Sequence, residues 1–276
     1  GFNSNGNSFY PDLSCNDAIM QPDGKILVCG LFQEYNENPA NKIIRLNQDY
    51  SIDTTFFING FNHNNVVINN LALQADGKIF VTGDLGDSYN GNPITSKLIR
   101  LNADGTLDTS FAMQVNQPVG KMFIQSNGKV ILPSTNGLVR VNLDGTIDNT
   151  FTSTPLANVL LLLEDDKLLV RSNNQILRLN ADGTPDLNFV PIPIVGTYDF
   201  AICIQPDGRI LKSEQGYSGG SYIYKIVRYN IDSSKDLAFQ SGFFNSNISH
   251  ISIDSYGRIF VAGSFTRYNG AWCNGT

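Results

Sequence analysis

Residues 21 to 30 read "QPDGKILVCG", and nearly the same phrase returns as "QADGKIFVTG", "QSNGKVILPS", "QPDGRILKSE" and "DSYGRIFVAG". Aligned on the turn glycine, the copies fall at Gly24, Gly77, Gly128, Gly208 and Gly257, with a degenerate copy, "LLLLEDDKLLV", around Asp166. A second phrase follows each of the first five: "IIRLNQDYSIDTTF", "LIRLNADGTLDTSF", "LVRVNLDGTIDNTF", "ILRLNADGTPDLNF" and "IVRYNIDSSKDLAF". A chain made of six copies of one unit must fold by stacking like units against one another.

Each unit predicts four short strands. An apolar segment such as "LALQ" leads through Asp-Gly into "KIFVTG", and "KLIRLN" leads through a second Asp-Gly into "TLDTSF". Asp-Gly and Asn-Gly between apolar runs mark hairpins, because glycine accepts the positive φ of a tight turn. Helical periodicity is absent. A repeat of roughly 40 to 55 residues built from four strands has the length of a propeller blade, and radial packing covers both faces of each blade. The expected fold is an all-β, six-bladed β-propeller of four-stranded antiparallel blades, occupying 1–276 as a single domain. Its blades fall at about 16–57, 69–112, 120–152, 158–190, 199–240 and 248–276 plus 1–10. The last blade lacks its outer half, and "GFNSNGNSF" at the start, with Phe2, Asn3, Gly6, Ser8 and Phe9, matches that half. The N-terminal segment is therefore expected to complete the last blade and close the ring.

These residues carry a resemblance. The two-part pattern "QPDGKILV…RLNxDGxxDxSF" is similar to the delta-60 repeat, a β-propeller repeat family of bacterial proteins, over essentially the whole chain. The departures are the fourth unit, without glycine after Asp166, and the fifth, where "NIDSSKD" replaces Asp-Gly. The resemblance implies a propeller within large, often secreted or surface proteins, and it implies no catalytic residues.

Charged residues make up 16% of the chain and the net charge is −6. Nucleic acid is excluded as a partner on that basis, since phosphate neutralisation needs clustered Lys and Arg. No apolar run reaches the length of a membrane span, and no signal peptide opens the chain. It starts inside ordinary domain sequence, as a processed or excised segment would. From what the resemblance implies, extracellular or cell-surface location is expected, as a monomeric domain or part of a larger chain.

The two stereotyped turns of a blade lie on one face of a propeller and the variable connections on the other. Long connections, "FQEYNENPAN", "DLGDSYNGNPITS", "EQGYSGGSYIY" and "FTRYNGAWCNGT", belong to blades one, two, five and six, which are consecutive in a closed ring. Function concentrates on such loops. They carry Tyr35, Tyr89, Tyr217, Tyr222, Tyr268 and the only tryptophan, Trp272, among Asn and Gly. Aromatic faces beside amides suit a sugar ring and equally a protein partner. The recurrence of "YNEN", "YNGN" and "YNGA" at equivalent tips also fits hairpin turns with a packing tyrosine.

Topology brings Cys15, in the link into blade one, and Cys273, in the blade-six loop, to one face and to touching blades, as a candidate disulfide. Cys29 and Cys203 are expected to be small core residues. Metal ligands are not expected. The turns with Asn102, Asp104, Asp108, with Asn142, Asp144, Asp148 and with Asn180, Asp182, Asp186 hint weakly at calcium, but each offers about three side chains where calcium takes six or more oxygens. Such residues also bond turn backbone.

Of the two histidines, His63 lies in a linking loop and His250 opens an inner strand; no nucleophile, metalloprotease or phosphate-loop motif accompanies them. Arg45, Arg100, Arg140, Arg178 and Arg228 recur with Asp53, Asp108, Asp148, Asp186 and Asp236, which marks scaffold pairs, since a binding site breaks symmetry. The expected function is therefore a non-enzymatic binding module for a protein or glycan at a surface. The alternatives are a propeller hydrolase or lyase with acids around the channel, and a ligand-free spacer.

Overall fold

The computed structural model describes residues 15–56, 60–61, 65–112, 121–134, 137–152, 157–194 and 201–273. The chain divides into two compact units, Gly1–Leu156 and Ala157–Thr276. Every regular element among the described residues is a strand.

The first unit begins with β1 (Cys15–Met20) and β2 (Ile26–Gly30), a small hairpin of β3 (Glu34–Tyr35) and β4 (Asn38–Pro39), and β5 (Ile43–Leu46), with sheet order β1-β2-β5. The pattern repeats in β6 (Val67–Leu73), β7 (Ile79–Asp84), the hairpin β8 (Ser88–Tyr89) and β9 (Asn92–Pro93), and β10 (Leu98–Leu101). It repeats again, without the small hairpin, in β11 (Phe123–Ile124), β12 (Val130–Ser134) and β13 (Gly137–Val141). In the second unit β14 (Ala157–Leu162), β15 (Leu168–Ser172), β16 (Gln175–Leu179) and β17 (Ile192–Pro193) form the fourth sheet. The fifth holds β18 (Ile202–Ile204), β19 (Ile210–Ser218) and β20 (Ser221–Tyr229). β21 (Ile248–Ile253) and β22 (Ile259–Gly263) form the sixth, followed by the hairpin β23 (Arg267–Tyr268) and β24 (Ala271–Trp272).

The repeated glycines do what the motif requires. Gly24, Gly77, Gly128, Gly208 and Gly257 have φ between 78° and 83°. The degenerate copy keeps the same turn with Asp166 at φ 62°, and at the second turn Tyr50 (65°) and Ser233 (69°) stand where Gly105, Gly145 and Gly183 do. Aspartate reaches this region by bonding local backbone, while tyrosine and serine pay a steric cost there. The turns therefore outlast their glycines.

The stretch "TLDTSF" and its four counterparts do not form the expected fourth strand; the fourth sheet gains one only beyond that stretch, in β17. After the second turn the chain pairs through single bridges, Leu46↔Ile52, Leu101↔Leu107, Val141↔Ile147, Leu179↔Pro185 and Tyr229↔Lys235. The cause is the aspartate that follows. Asp108 Oδ1 accepts hydrogen bonds from Ser110 N (3.0 Å) and Ser110 Oγ (2.6 Å), and Phe111 N donates back to Asp108 O. The side chain thus captures backbone that a strand would need and curls the chain away.

The repeated arginines lock this turn to the sheet. Asp53, Asp108, Asp148 and Asp186 each receive Nε of Arg45, Arg100, Arg140 or Arg178 at 2.6 to 2.8 Å, and Nζ of Lys25, Lys78, Lys129 or Lys167 at 2.7 to 3.1 Å. The same guanidinium lies over the phenylalanine three residues beyond the aspartate, 4.8 Å away for Arg45 on Phe56 and Arg100 on Phe111. Arg100 Nη1 also donates to Leu143 O in the next sheet (2.7 Å), so the pair joins neighbours as well as capping a turn.

These carboxylates set the acid limit of stability. Burial alone would raise the pKa of Asp53 and Asp108, but the hydrogen bonds from lysine, arginine and the neighbouring hydroxyl outweigh it and hold both well below the ordinary range. For Asp148 the bond from Lys129 is the largest effect and acts in the same direction. A depressed carboxylate stabilises the fold above its unfolded pKa, about 3.9, and that contribution is lost as pH falls through the folded value. Urea midpoints should therefore stay level from pH 7 to about 5 and fall steeply below about pH 4.

Cys29 is fully buried, and burial pushes its thiol up to about 12. Cys203 is half-buried, not a full core residue, and packs at the margin of the cluster of Leu211, Ile226 and Phe244. Cys15 is exposed and Cys273 half-buried; all four are free thiols.

Candidate functional site

The sequence-predicted aromatic residues separate into two kinds. Tyr35 and Tyr89 are fully buried, and their hydroxyls donate to Tyr50 O (2.9 Å) and Gly105 O (2.7 Å). Tyr89 also packs edge-on against Phe61, with ring centroids 4.8 Å apart. Both are core residues that tie a hairpin to its own sheet, which corrects their reading as ligand contacts. Tyr217, Tyr222, Tyr268 and Trp272 are exposed, at 68%, 62%, 40% and 73%.

A continuous strip in the second unit carries these four. β19 and β20 form a nine-residue ribbon closed by Gly219 and Gly220 at φ 60° and 82°, a two-residue turn whose twist matches the strands. Tyr224 on the ribbon edge pairs with Phe244 through two backbone bonds (2.7 and 3.0 Å), and Phe244 bridges to Tyr268 on β23. Asn269 N donates to Phe243 O (2.8 Å), while Asn269 Oδ1 accepts from Phe243 N (2.8 Å). Across the strip the order is β19, β20, the Phe243–Phe244 segment, β23 and β24.

Side chains alternate along each strand, so this register sorts the strip into two faces. Tyr217, Tyr222, Tyr224, Phe244 and Tyr268 lie on one. Tyr217 and Tyr222 pair edge-on at 5.3 Å, while Phe244 packs against Phe265 (4.7 Å) and Tyr268 (4.8 Å). Glu214, Lys225, Phe243, Arg267 and Trp272 lie on the other. Arg267 stacks over the Trp272 ring at 4.3 Å. The six aromatic candidates therefore do not converge: two are core, three share one face, and Trp272 belongs to the opposite face.

Sequence reasoning missed Phe243, which is 52% exposed and stands where the second repeat has Gly60. It also missed a polar cluster in the fifth sheet. Register places Lys212 where other sheets have Val28, Val81, Leu132 and Val170, and Glu214 where they have Gly30, Gly83, Ser134 and Ser172. Tyr229 replaces Leu46, Leu101, Val141 and Leu179, and Lys235 replaces Ile52, Leu107, Ile147 and Pro185. The four meet: Glu214 Oε1 accepts from Tyr229 OH (2.6 Å) and Lys212 Nζ (3.3 Å), and Oε2 lies 3.5 Å from Lys235 Nζ. Burial pushes Lys212 down, against the pull of Glu214. Burial would raise Glu214, but the Tyr229 hydroxyl and the charges of Lys212 and Lys235 hold it below its ordinary value. The signal was present in "RILKSE", where lysine occupies an apolar slot of the repeat.

A cavity of about 460 Å³ opens beside this cluster, where the chain from Lys235 to Phe243 bows away from β20; Lys225, Lys235, Ser241, Gly242 and Phe243 line it. His250 is exposed on β21, and His63 lies outside the described residues. No group of three His, Cys, Asp or Glu side chains gathers among the described residues. In the turns that hinted at calcium the oxygens are engaged locally: Asp104 Oδ1 accepts from Thr106 N (2.9 Å) and Thr106 Oγ1 (2.7 Å).

Among solved structures, a streptogramin B lyase is similar at 17% identity and TM-score 0.52, covering 92% of each chain. An extracellular domain of a hybrid two-component system from B. thetaiotaomicron is similar at 11% identity and TM-score 0.56, covering 90% of this chain and 32% of that one. Both likenesses bear on the fold. The first corrects the expectation that the chain is not an enzyme, because the same architecture carries a lyase. Among curated proteins none matches the chain. Residues 21–56, 74–111, 125–151, 166–189 and 257–276 match the family described as a domain of unknown function (DUF5122) beta-propeller, over half of the chain. The chain belongs to this β-propeller family, in keeping with its two-part repeat motif.

Proposed function

We propose that the chain recognises a glycan outside the cell, through the face of the strip that carries Trp272, Arg267, Phe243 and Lys225. One observation carries this reading: two exposed aromatic side chains and two cations share one face of a hydrogen-bonded strip that otherwise ends in polar turns. The C–H face of a sugar packs on an aromatic ring, and the rigid strip keeps the ordering cost low. The extracellular domain among the structural neighbours supports an exported or surface-displayed setting. Chemistry on a bound glycan is compatible with this reading, since recognition precedes turnover.

The test is a glycan array with the purified chain beside a Trp272→Ala/Phe243→Ala variant and a Tyr217→Ala/Tyr222→Ala variant. Selective binding lost in the first variant and kept in the second is expected. A blank array would turn the assignment toward a protein partner or a spacer.

We also propose that the six repeats close as a six-bladed ring in which residues 1–10 complete the last blade, with Cys15 and Cys273 able to staple that closure on oxidation. Support comes from β22, which pairs only with β21 among the described residues, whereas its counterparts β2, β7, β12, β15 and β19 pair on both sides. Deleting residues 1–10 should lower the melting temperature markedly, and reductant should lower that of the full chain further if the thiols have paired. An unchanged melting temperature after the deletion would refute the closure.

A further inference from the structure

The strip's Trp272 face carries positive charge that no ion pair among the described residues neutralises. Lys225 sits directly across β19–β20 from Glu214, yet that carboxylate is already shared by Lys212, Lys235 and the Tyr229 hydroxyl. Two ammonium groups thus share one carboxylate, and Lys225 lies across the strands from it. The lysines at the equivalent place in the first unit are satisfied, since Lys42 Nζ donates to Leu31 O (2.7 Å) and Lys97 pairs with Asp84 (3.4 Å). Lys225 has no such partner among the described residues. Arg267, on the same face, has its guanidinium stacked on Trp272 with no acid paired to it among the described residues. Asp236 at the cavity wall is taken by Arg228 (2.8 Å) and approached by Arg209 (3.8 Å).

A second feature points the same way. The polar replacements at Lys212, Glu214, Tyr229 and Lys235 occur together in one repeat of a chain whose other repeats keep those places apolar or small. Buried charge in place of apolar packing costs stability. Its local result is an excess of cations beside a cavity lined by Lys225, Lys235 and Phe243.

We infer that the ligand of this face is an acidic saccharide, a uronic-acid-bearing chain whose ring packs on Trp272 or Phe243 and whose carboxylate is received by Lys225 and Lys235 at the cavity. This rests on the glycan reading above and adds the charge of the sugar. A carboxylate there pairs with Lys225 and relieves the sharing of Glu214 between Lys212 and Lys235, whereas a neutral sugar leaves that crowding unchanged.

The experiment compares oligomers of galacturonate, glucuronate and mannuronate with the same oligomers after methyl esterification, which removes the charge and keeps the ring. Isothermal titration of the full chain should give an acid form bound at least about tenfold more tightly than its ester. The Lys225→Gln/Lys235→Gln variant should bring the acid form down to the level of the ester, as should roughly 0.5 M sodium chloride, which screens exposed charge within a few ångströms. Thermal melts of the variant check that it remains folded. Equal binding of acid and ester, or an acid preference that survives the double substitution, would overturn the charge assignment. In that case loss of binding in Trp272→Ala would leave the glycan reading intact. Absence of binding to every oligomer, charged or neutral, would overturn both.

Discussion

Replacing Asp108 by alanine is expected to lower stability by about 3–5 kcal/mol, the cost of breaking a buried pair from one side. Asp108 is 7% exposed and its side chain makes four hydrogen bonds, to Arg100 Nε (2.7 Å), Lys78 Nζ (2.9 Å), Ser110 N and Ser110 Oγ. Its loss strands the Arg100 guanidinium, also buried, over Phe111 and frees the turn that ends the sheet. Lys78 is the internal control. It is about a third exposed, so Lys78→Gln should cost under about 1 kcal/mol. Urea unfolding of the two variants measures the difference, and a loss under about 1 kcal/mol for Asp108→Ala would mean that the pair fixes geometry without stabilising it.

The second large effect concerns recognition. Trp272→Ala combined with Phe243→Ala should weaken ligand binding by about 30-fold or more, since a single central aromatic residue commonly contributes about 2 kcal/mol. Both side chains are more than half exposed, so stability should change by no more than about 0.5 kcal/mol for each. Tyr217 and Tyr222 face the other way and serve as the contrast. If their double alanine variant loses binding while the Trp272 variant keeps it, the ligand uses the opposite face of the ribbon.

How much of this was legible in the sequence follows from what repeats. The turn glycines and the Arg–Asp pairs occur unit after unit, so Gly77 and the partnership of Arg100 with Asp108 could be read directly and the structure keeps both. The outer strand was misread because "TLDTSF" has strand composition, while the outcome depends on Asp108 bonding Ser110, a local competition that propensity does not express. Tyr35 and Tyr89 recur at equivalent hairpin tips of the first two repeats, and that recurrence already offered them as packing tyrosines, the reading their burial favours. The division of the strip into two faces was not legible. It depends on Phe244 pairing with both Tyr224 and Tyr268, contacts across 20 and 24 residues that no periodicity announces. The cluster around Glu214 was legible and overlooked, because each of its members departs from the repeat only when the copies are laid side by side.

The chain contains a single tryptophan, Trp272, on the proposed binding face. Its fluorescence therefore reports on that face without labelling. Titrating the bound oligosaccharide found by the array into the full chain should shift or quench Trp272 emission in a saturable way, with a midpoint equal to the calorimetric dissociation constant. Calorimetric binding with unchanged Trp272 emission, retained in the Trp272→Ala/Phe243→Ala variant, would contradict the account, because the ligand would then sit elsewhere on the protein.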